Sequence, residues 1–359
     1  MRTKKENIQL IKALSNANGV SGFEDEVAQI GRLETKSYCN VREDSLRNVY
    51  MELKTNTGKK PRVWLDAHSD EVGFIVQAIK PNGTLNFLPL GGWDARNVPS
   101  SKVRVLNAKG EYLPGIVATK PVHFLSEAER LSSQDISNMV IDMGAVSKED
   151  LDENFKIRIG APIVPDVDCS YDEKRDLFMG KAFDCRIGCA SLIETLNQLH
   201  DENLDVDVFG TLSVQEEVGE RGMEVCAKNV EADIAIIFEG CPADDTFYEP
   251  YLIQSGLKRG PMLRHFDRSM ITNPRFMRYA LDLGEEKNIP VQEAVRSGGG
   301  TNAKFTHLSK NAIPTIVIGV PVRYTHSHHC FTTYEDYQNA IKLAVEIIKS
   351  LDQEIINQF

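Results

Sequence analysis

The sequence predicts an α/β protein with a mostly parallel sheet, interrupted by a small inserted β domain. Apolar strand-like segments alternate with helical patterns before residue 72 and after residue 171. Between these points, short runs of alternating apolar residues are separated by frequent glycine-containing turns. Strands joined by helices build a parallel sheet covered on both faces, whereas closely spaced hairpins build antiparallel sheets and small barrels. We therefore expect an α/β domain of residues 1–71 and 172–359, and a β-barrel domain of residues 72–171.

The first part of the α/β domain is expected to contain helices at 5–16 and 24–36, followed by strands at 47–54 and 61–67. The N-terminal segment MRTKKENIQLIKAL starts with basic residues but has no continuous apolar stretch and no small-residue cleavage site. It is therefore predicted to form an amphipathic helix rather than a signal peptide.

The second part resumes the alternation of strands and helices. Four strands are predicted in the segments VDVFGTLSV, DIAIIFE, IPVQEAV and PTIVIGV. The predicted helices are 186–200, 272–287, 301–310 and 334–353. In the last helix, apolar side chains recur at helical spacing, at Tyr337, Ile341, Ala344, Ile348 and Leu351. This spacing is typical of a helix that packs one face on a core.

The composition excludes several classes of partner. The chain of 359 residues carries a formal charge of −11, from 41 basic and 52 acidic residues, and it has no basic tract. Nucleic acid and anionic membrane surfaces bind clustered lysine and arginine, so neither is an expected partner. No apolar run approaches the roughly 20 residues that cross a bilayer.

The cysteines predict a reducing compartment, and hence a cytoplasmic location. There are seven, an odd number, and they are scattered along the chain, which argues against a disulfide framework. Cys185 and Cys189 lie four residues apart and could be metal ligands. No second cysteine pair or nearby histidine completes a zinc-ribbon pattern, so small buried residues are the preferred interpretation.

Acids and histidines follow several of the predicted strands. These candidate ligands are His68, Asp70, Asp184, Glu216, Glu217, Glu239 and His326. In open α/β sheets, the ligand crevice lies outside the carboxyl ends of the strands, so residues far apart in the chain can converge there.

The residue types suit a pair of divalent ions. A two-metal hydrolytic site needs a carboxylate that bridges the ions, one nitrogen and one carboxylate for each ion, and a free carboxylate that takes a proton from water. A mixed nitrogen and oxygen ligand set favours zinc or cobalt. Glu216 and Glu217 are expected to point in different directions on an extended backbone, so that one is a ligand and the other the base. The pattern therefore predicts a two-metal hydrolase.

Each candidate also has an ordinary interpretation. Asp184 precedes a helix and could be its N-cap. Glu216 and Glu217 could be solvated, and His68 could be a hydrogen-bonded core residue. His328 and His329 could compete with His326 as a ligand. The joint occurrence of these residues after several strands of one sheet nevertheless favours a metal site.

Beyond composition and spacing, six segments resemble the M42 family of metallo-aminopeptidases, the glutamyl aminopeptidase and tetrahedral aminopeptidase group. In chain order they are SGFEDEV, DAHSDEVGFIV, GKAFDCRIG, VQEEVGERG, IFEGCPADD and GGGTNAKFTHLSKNAIPTIVIGVPVRYTHS. Together they extend from about residue 20 to residue 340. The resemblance implies a zinc-peptidase-like catalytic domain and an inserted barrel used in subunit contacts.

The resemblance also implies roles for the candidate residues. One ion would be held by His68, Asp184 and Glu239, and the other by Asp184, Glu217 and His326. Glu216 would be the general base and acid, and Asp70 would orient His68. The implied activity is removal of the N-terminal residue from short peptides, and the implied assembly is a homo-oligomer, in many relatives a dodecamer.

The chain departs from the family pattern near the expected substrate pocket. Asn302 and Lys304 stand where the family usually has an aspartate and a small residue, so both are candidate substrate-binding residues. Lys304 could pair with an acidic first side chain of the substrate, although a surface lysine is the preferred interpretation. Cys185 also replaces a more common asparagine or aspartate. The alternatives are another two-metal hydrolase, such as a deacylase, or a catalytically inactive scaffold. Glycoside cleavage needs two acids across a sugar-binding groove, and the sequence places no aromatic-lined groove between two acids.

Overall fold

The computed structural model describes residues 1–131, 134–310 and 312–359. Residues 132, 133 and 311, which the predicted domains include, lie outside the described residues. The fold combines a large sheet flanked by helices with a separate closed barrel. The predicted fold class, α/β with a β-barrel, is confirmed.

The elements are given in chain order. The helices are α1 Lys4–Asn16, α2 Asp25–Thr35, α3 Glu127–Leu131, α4 Lys148–Asp150, α5 Phe183–Leu199, α6 Arg221–Asn229, α7 Pro274–Glu286, α8 Ala303–Thr306, α9 Tyr334–Ser350 and α10 Gln353–Ile356. The strands are β1 Cys39–Glu43, β2 Val49–Leu53, β3 Arg62–His68, β4 Gly73–Ile79, β5 Leu85–Leu90, β6 Lys102–Leu106, β7 Tyr112–Ala118, β8 Val140–Asp142, β9 Pro162–Pro165, β10 Ser170–Asp172, β11 Leu177–Gly180, β12 Asp207–Ser213, β13 Ile234–Pro242, β14 Met262–Phe266, β15 Gln292–Val295, β16 Thr315–Val322 and β17 Cys330–Thr333. Short 3₁₀ turns occupy Val122–Phe124, Ile136–Asn138 and Pro250–Leu252, and a π turn occupies Leu151–Phe155.

In the described part of the chain, the large sheet has eight strands in the order β1-β2-β12-β3-β13-β16-β14-β15. The four central strands, β12, β3, β13 and β16, run parallel to one another. β2 joins them antiparallel on one side and β14 antiparallel on the other. The sheet is therefore parallel at its centre, and the carboxyl ends of its central strands share one edge.

The central strands are buried on both faces, as parallel strands usually are. In β3, Leu65 belongs to the core cluster that also contains apolar side chains of α1, α5 and α9. Trp64 packs on the other face with Phe209 and with Met223 of α6. Both of these β3 side chains are fully buried, which explains the continuous apolar character of the segment.

The barrel is closed by the strands β4-β5-β8-β7-β6-β9. Its own core contains Phe74, which meets Phe87 edge to face and stacks on Trp93, each at a ring distance of 4.9 Å. The barrel strands run from Gly73 to Pro165. The division of the chain into domains at residues 72 and 171 stays a prediction.

Some local expectations were wrong. The predicted helix 301–310 is helical only at Ala303–Thr306, because the chain then turns: the Ser309 hydroxyl donates to the Thr306 carbonyl at 2.8 Å, and Lys310 is left-handed at φ 47°. Such hydroxyl-to-backbone bonds compete with helix continuation. Strands β1 and β14 and helix α6 were not predicted from the sequence. Charged and polar residues interrupt the strand pattern of β1 and β14, so packing on neighbours decides their conformation.

Two further predictions concern the cellular compartment of the protein and the presence of membrane-spanning helices. All seven cysteines are buried and free, but the cytoplasmic location stays a prediction. Among the described residues, no helix combines the length and apolar character that crossing a bilayer requires.

Candidate metal centre

The structure brings the six predicted metal-site residues together at the carboxyl edge of the central strands. His68 ends β3, Asp184 starts α5, Glu216 and Glu217 lie in the loop after β12, Glu239 lies inside β13, and His326 lies in the loop after β16. Glu239 was expected to end its strand, but β13 continues to Pro242 because it pairs with β16 over its full length.

Asp184 lies between the two histidines. Its Oδ1 is 3.1 Å from Nε2 of His68, and its Oδ2 is 3.5 Å from Nε2 of His326. The backbone at Asp184 is not helical (φ −84°, ψ 103°), and its peptide bond to Cys185 is cis. The carboxylate thus presents each oxygen to a different imidazole, which is the arrangement required of a bridging ligand.

Each histidine also approaches a second carboxylate. Nε2 of His68 is 3.7 Å from Oε2 of Glu239, and Nε2 of His326 is 3.3 Å from Oε2 of Glu217. The donor atoms of Asp184, Glu217 and His326 all lie within 4.8 Å of one another. Asp184 therefore belongs to one compact donor group with Glu217 and His326, and it also contacts His68, which approaches Glu239.

Unpartnered oxygens indicate that this cluster fits a divalent ion. Oε1 of Glu217 and Oε1 of Glu239 are buried and have no hydrogen-bond partner among the described residues. A buried carboxylate oxygen without a partner is costly, and a coordinated cation would satisfy it. The mixed imidazole and carboxylate donors suit zinc or cobalt.

The pKa values of the acids in the cluster also indicate a site for cations. Burial raises the pKa of Glu217 to about 8 and that of Glu239 to about 7, and it raises the pKa of Glu216 well above its ordinary value. Burial opposes ionisation of Asp184 too, but hydrogen bonds from His326 and His68 outweigh it and hold the pKa of Asp184 well below its usual range. Crowded acids of this kind ionise fully only beside positive charge, which divalent ions would supply.

Asp70 ties the histidine to the glutamate loop. It is fully buried, and its Oδ1 lies 3.3 Å from Nδ1 of His68. It accepts the backbone N–H groups of Glu216 and Glu217 at 2.9 and 3.1 Å and the Ser21 hydroxyl at 2.6 Å. A carboxylate behind an imidazole commonly orients it for a metal.

The glutamate pair is held in a turn and not on the extended backbone that was expected. β12 ends at Ser213, and Gln215 is left-handed at φ 57°. Its N–H donates to Oε1 of the buried Glu24 at 3.1 Å. As a result Glu216 and Glu217 both face His68, with donor atoms within 4.8 Å. Sequence reasoning did not single out Glu24 or Ser21, although both belong to the SGFEDEV segment that contributes to the resemblance.

The donor cluster forms one end of a cavity of about 590 Å³. Besides the cluster, its wall includes the loop 298–301, Glu220 and two arginines, Arg264 and Arg296. Arg264 is ion-paired with Asp267 at 3.0 Å and Arg296 with Asp244 at 2.6 Å. The barrel supplies Gly92, where an added Cβ would lie 3.2 Å from Nδ1 of His326.

The structure does not place Asn302 or Lys304 on the cavity wall. Asn302 is fully buried beneath it, where its Nδ2 donates to Oδ2 of Asp66 at 2.7 Å and to the Ser213 hydroxyl at 2.8 Å. Lys304 is ion-paired with Glu220 at 3.0 Å. Both residues contact neighbours of the cavity wall and do not line it, and their binding of substrate stays a prediction.

Of the competing ligands in the described part of the chain, His328 and Cys189 do not join the donor cluster, whereas Cys185 lies beside it. His328 is buried against Trp93, at a ring distance of 5.2 Å, and its nitrogens do not join the donor cluster among the described residues. The Cys189 thiol donates to the His68 carbonyl at 3.0 Å. Cys185 is closest to the site, with Sγ within 4.8 Å of donors of His68 and Glu239, but its thiol donates to the Phe238 carbonyl at 3.2 Å.

An α/β sheet that gathers two linked sets of imidazole and carboxylate donors at its carboxyl edge defines a candidate metal-dependent hydrolase. The family model described as M42 glutamyl aminopeptidase matches residues 48–343. The chain therefore belongs to the M42 family of glutamyl aminopeptidases, which confirms the predicted resemblance. Membership supports a metal-dependent peptidase activity.

Similar proteins extend over the whole chain. It is 31% identical over 348 residues to the glutamyl aminopeptidase of Lactococcus lactis subsp. cremoris, covering 96% of both chains. The crystal structure of a TET aminopeptidase from a marine sediment Thaumarchaeota archaeon has a TM-score of 0.95 and 36% identity, covering 99% of both chains. The Pyrococcus horikoshii TET1 peptidase, which can assemble into a tetrahedron or a large octahedral shell, has a TM-score of 0.86 and 28% identity, covering 96% of this chain and 100% of that chain.

Proposed function

We propose that this protein is a two-metal aminopeptidase that removes the N-terminal residue from short peptides. The observation that carries the proposal is the position of Asp184, with one carboxylate oxygen near each of two histidines. A single-metal site needs no such shared carboxylate, whereas a two-metal hydrolytic site does.

The donor sets suggest how the ions would be held. His68, Asp184 and Glu239 would hold one ion, and Asp184, Glu217 and His326 would hold the other. Zinc or cobalt fits these donors. When bound, the pair would supply Lewis-acid polarisation of the peptide carbonyl and would lower the pKa of a water molecule.

Glu216 is proposed as the general base and acid. Its side chain lines the cavity and is near His68 and Glu217, but it is not part of the set that contains Asp184. A carboxylate oxygen of Glu216 would accept the proton of the attacking water and then deliver it to the departing amine. Asp70 would hold His68 and the Glu216 backbone in position, because its carboxylate contacts both.

The first test is metal dependence together with the requirement for a free amine. The protein is stripped with a chelator and reloaded with zinc, cobalt or manganese, and bound metal is counted by mass spectrometry. We expect two ions per chain, turnover of amino-acid p-nitroanilides and no turnover of their N-acetylated forms. Release of acetate from the acetylated forms, with the anilide bond left intact, would instead identify a deacylase. Two bound ions without turnover of any substrate in a broad peptide panel would identify an inactive scaffold.

We further propose that the protein forms a homo-oligomer, in the size range of a dodecamer, through its barrel. Large assemblies are known for the Pyrococcus horikoshii relative, and the barrel exposes apolar side chains, among them Ile116, Phe124 and Val146. Light scattering coupled to size-exclusion chromatography measures the assembly. A monomer at micromolar concentration would refute this part of the proposal and leave the chemistry untouched.

A further inference from the structure

A second cavity adjoins the metal centre on the side of His326. Its volume is about 870 Å³, within the range of small-ligand pockets. It shares five wall residues with the first cavity: Gly92, Pro242, Arg296, Thr325 and His326. A chain anchored by its first residue at the metal centre can therefore continue directly into this space.

The second cavity is a cleft between the barrel and the α/β part. One wall comes from the barrel, through Asp94, Asn97 and Ser101. The other carries three aromatic side chains, Phe247, Tyr248 and Tyr324. We call this space the aromatic cleft.

The aromatic side chains of the cleft are unusually exposed for their size. Phe247 is 68% exposed, Tyr248 57% and Tyr324 41%. Phe247 meets Tyr324 edge to face at a ring distance of 6.0 Å. Isolated exposed aromatics are common, but a group of them along one cleft marks a surface that binds a partner.

The segment that carries Phe247 and Tyr248 is firmly anchored at its base. Asp244 accepts the backbone N–H of Ser255 at 3.0 Å and is ion-paired with Arg296 at 2.6 Å. The next residue, Asp245, is ion-paired with Arg323 at 2.6 Å. These contacts hold the backbone next to Phe247 and Tyr248 in place, so less conformational entropy is lost when a ligand binds to them.

We propose that the aromatic cleft binds the residues that follow the scissile bond of a peptide substrate and favours a large apolar or aromatic side chain there. The inference rests on the proposed aminopeptidase function, because that function places the first residue at the metal centre. The cleft begins at His326, beside the cluster, so the leaving part of the peptide is the segment that reaches Phe247 and Tyr248.

The test compares substrates that share one first residue. The probes are the amino-acid amide, which cannot reach the cleft, and two tetrapeptides with phenylalanine or glycine at the second position. For the metal-loaded parent protein, we expect kcat/KM to rise from the amide to the glycine peptide and again to the phenylalanine peptide. In Phe247→Ala and Tyr248→Ala, the ratio of kcat/KM for the phenylalanine peptide to that for the amide should fall about three- to ten-fold, the loss expected for one aromatic contact.

Tyr251→Ala is the matched control. Tyr251 lies on the same loop and is 84% exposed, but it does not line the cleft. It should retain both the parent ratio and the parent activity on every substrate.

Each remaining outcome would overturn either the role of the cleft or the proposed function. A parent protein that cleaves the amide as well as it cleaves both peptides would refute the cleft and leave the aminopeptidase function standing. A change in oligomeric mass in Phe247→Ala or Tyr248→Ala, with no change in the ratio, would show that a second copy of the chain occupies the cleft. A metal-loaded parent that cleaves none of the substrates would refute the proposed function itself.

Discussion

Two buried clusters of charged side chains include residues at or just after the carboxyl end of β3, and they differ in their balance of charge. In the first, Glu71 is ion-paired with Lys181 at 2.5 Å and with Arg186 at 3.2 Å. Lys181 also donates to the Ala17 carbonyl, and Arg186 donates to the Leu14 and Gly19 carbonyls. This cluster places two cations around one acid, and backbone carbonyls accept from Lys181 and from both terminal nitrogens of Arg186, so each cation has partners within the protein.

The second cluster is the metal centre, where acids outnumber histidines and carboxylate oxygens lack partners. Burial raises the pKa of Glu217 and of Glu239, whereas in the first cluster burial lowers the pKa of Lys181 to about 8. A structural ion network and a ligand site therefore differ in whether their charged groups find partners within the protein. The structural network pairs its cations with Glu71 and with backbone carbonyls, whereas the ligand site keeps buried carboxylates whose negative charge a bound cation would neutralise.

The largest effect is expected at the metal centre, from Glu216→Gln. The amide keeps the size of the side chain but cannot accept the proton, so kcat should fall about 10²- to 10⁴-fold. Bound metal should stay at two ions per chain, as measured by mass spectrometry. The control is Glu220→Gln, a change of the same kind on the same cavity wall, which should keep most of the activity. Normal turnover by metal-loaded Glu216→Gln would show that another group is the base.

The next effect contrasts the two clusters through their stability. Glu71→Gln leaves Lys181 and Arg186 buried without a counter-charge, which should lower the free energy of unfolding by about 3–5 kcal/mol. In the metal-free protein, Glu239→Gln should lower the free energy of unfolding much less, or even raise it. The substitution removes one negative charge from a site where acids outnumber histidines. Denaturant unfolding of both variants, with metal chelated, measures the difference. Equal losses would mean that the metal centre is held together by its own charges.

A smaller effect is expected from pH. The folded-state pKa values of Glu217 and Glu239 are raised to about 8 and about 7, above the ordinary 4.5. The folded protein therefore binds more protons than the unfolded chain between pH 4.5 and 8, so these groups make the metal-free protein less stable as pH rises through that window. Metal ions compete with these protons.

The increase in Tm on adding zinc should consequently be larger at pH 8 than at pH 6. Thermal unfolding with and without the ion measures this increase. The Glu239→Gln variant is the control, because it lacks one titrating group and should show a weaker dependence. A gain in Tm that is independent of pH would contradict the surplus of acid that the comparison assigns to the metal centre.

The smallest effect is expected outside both clusters, from Lys304→Met. Lys304 is ion-paired with Glu220 and does not line the cavity, and a partly exposed pair of this kind contributes about 0–1 kcal/mol. Stability and the preference for the first residue should both change little, as measured by unfolding and by a panel of aminoacyl substrates. A loss of activity confined to substrates with an acidic first residue would return Lys304 to the substrate pocket.

Most of the candidate site could be predicted because most of its residues lie at or just after the end of a recognisable strand. Apolar runs locate β3, β12, β13 and β16, and the parallel arrangement brings their carboxyl ends to one edge. His68, Glu217 and His326 could therefore be named together before their distances were known. Asn302 could not be placed in this way. Its position depends on the buried side chains of Asp66 and Ser213, which lie far away in the sequence.

The alternation of strands and helices, the barrel pattern and the chemical types of the donors could all be predicted from the sequence, because they depend on local periodicity and on residue identity. Tertiary structure decided which oxygen of Asp184 faces which histidine and how Glu24 and Asp70 hold the glutamate turn. It also decided that Gly92 of the barrel closes one side of the metal centre. These contacts join segments that are distant in the chain, and their distances are set by the packing of whole elements.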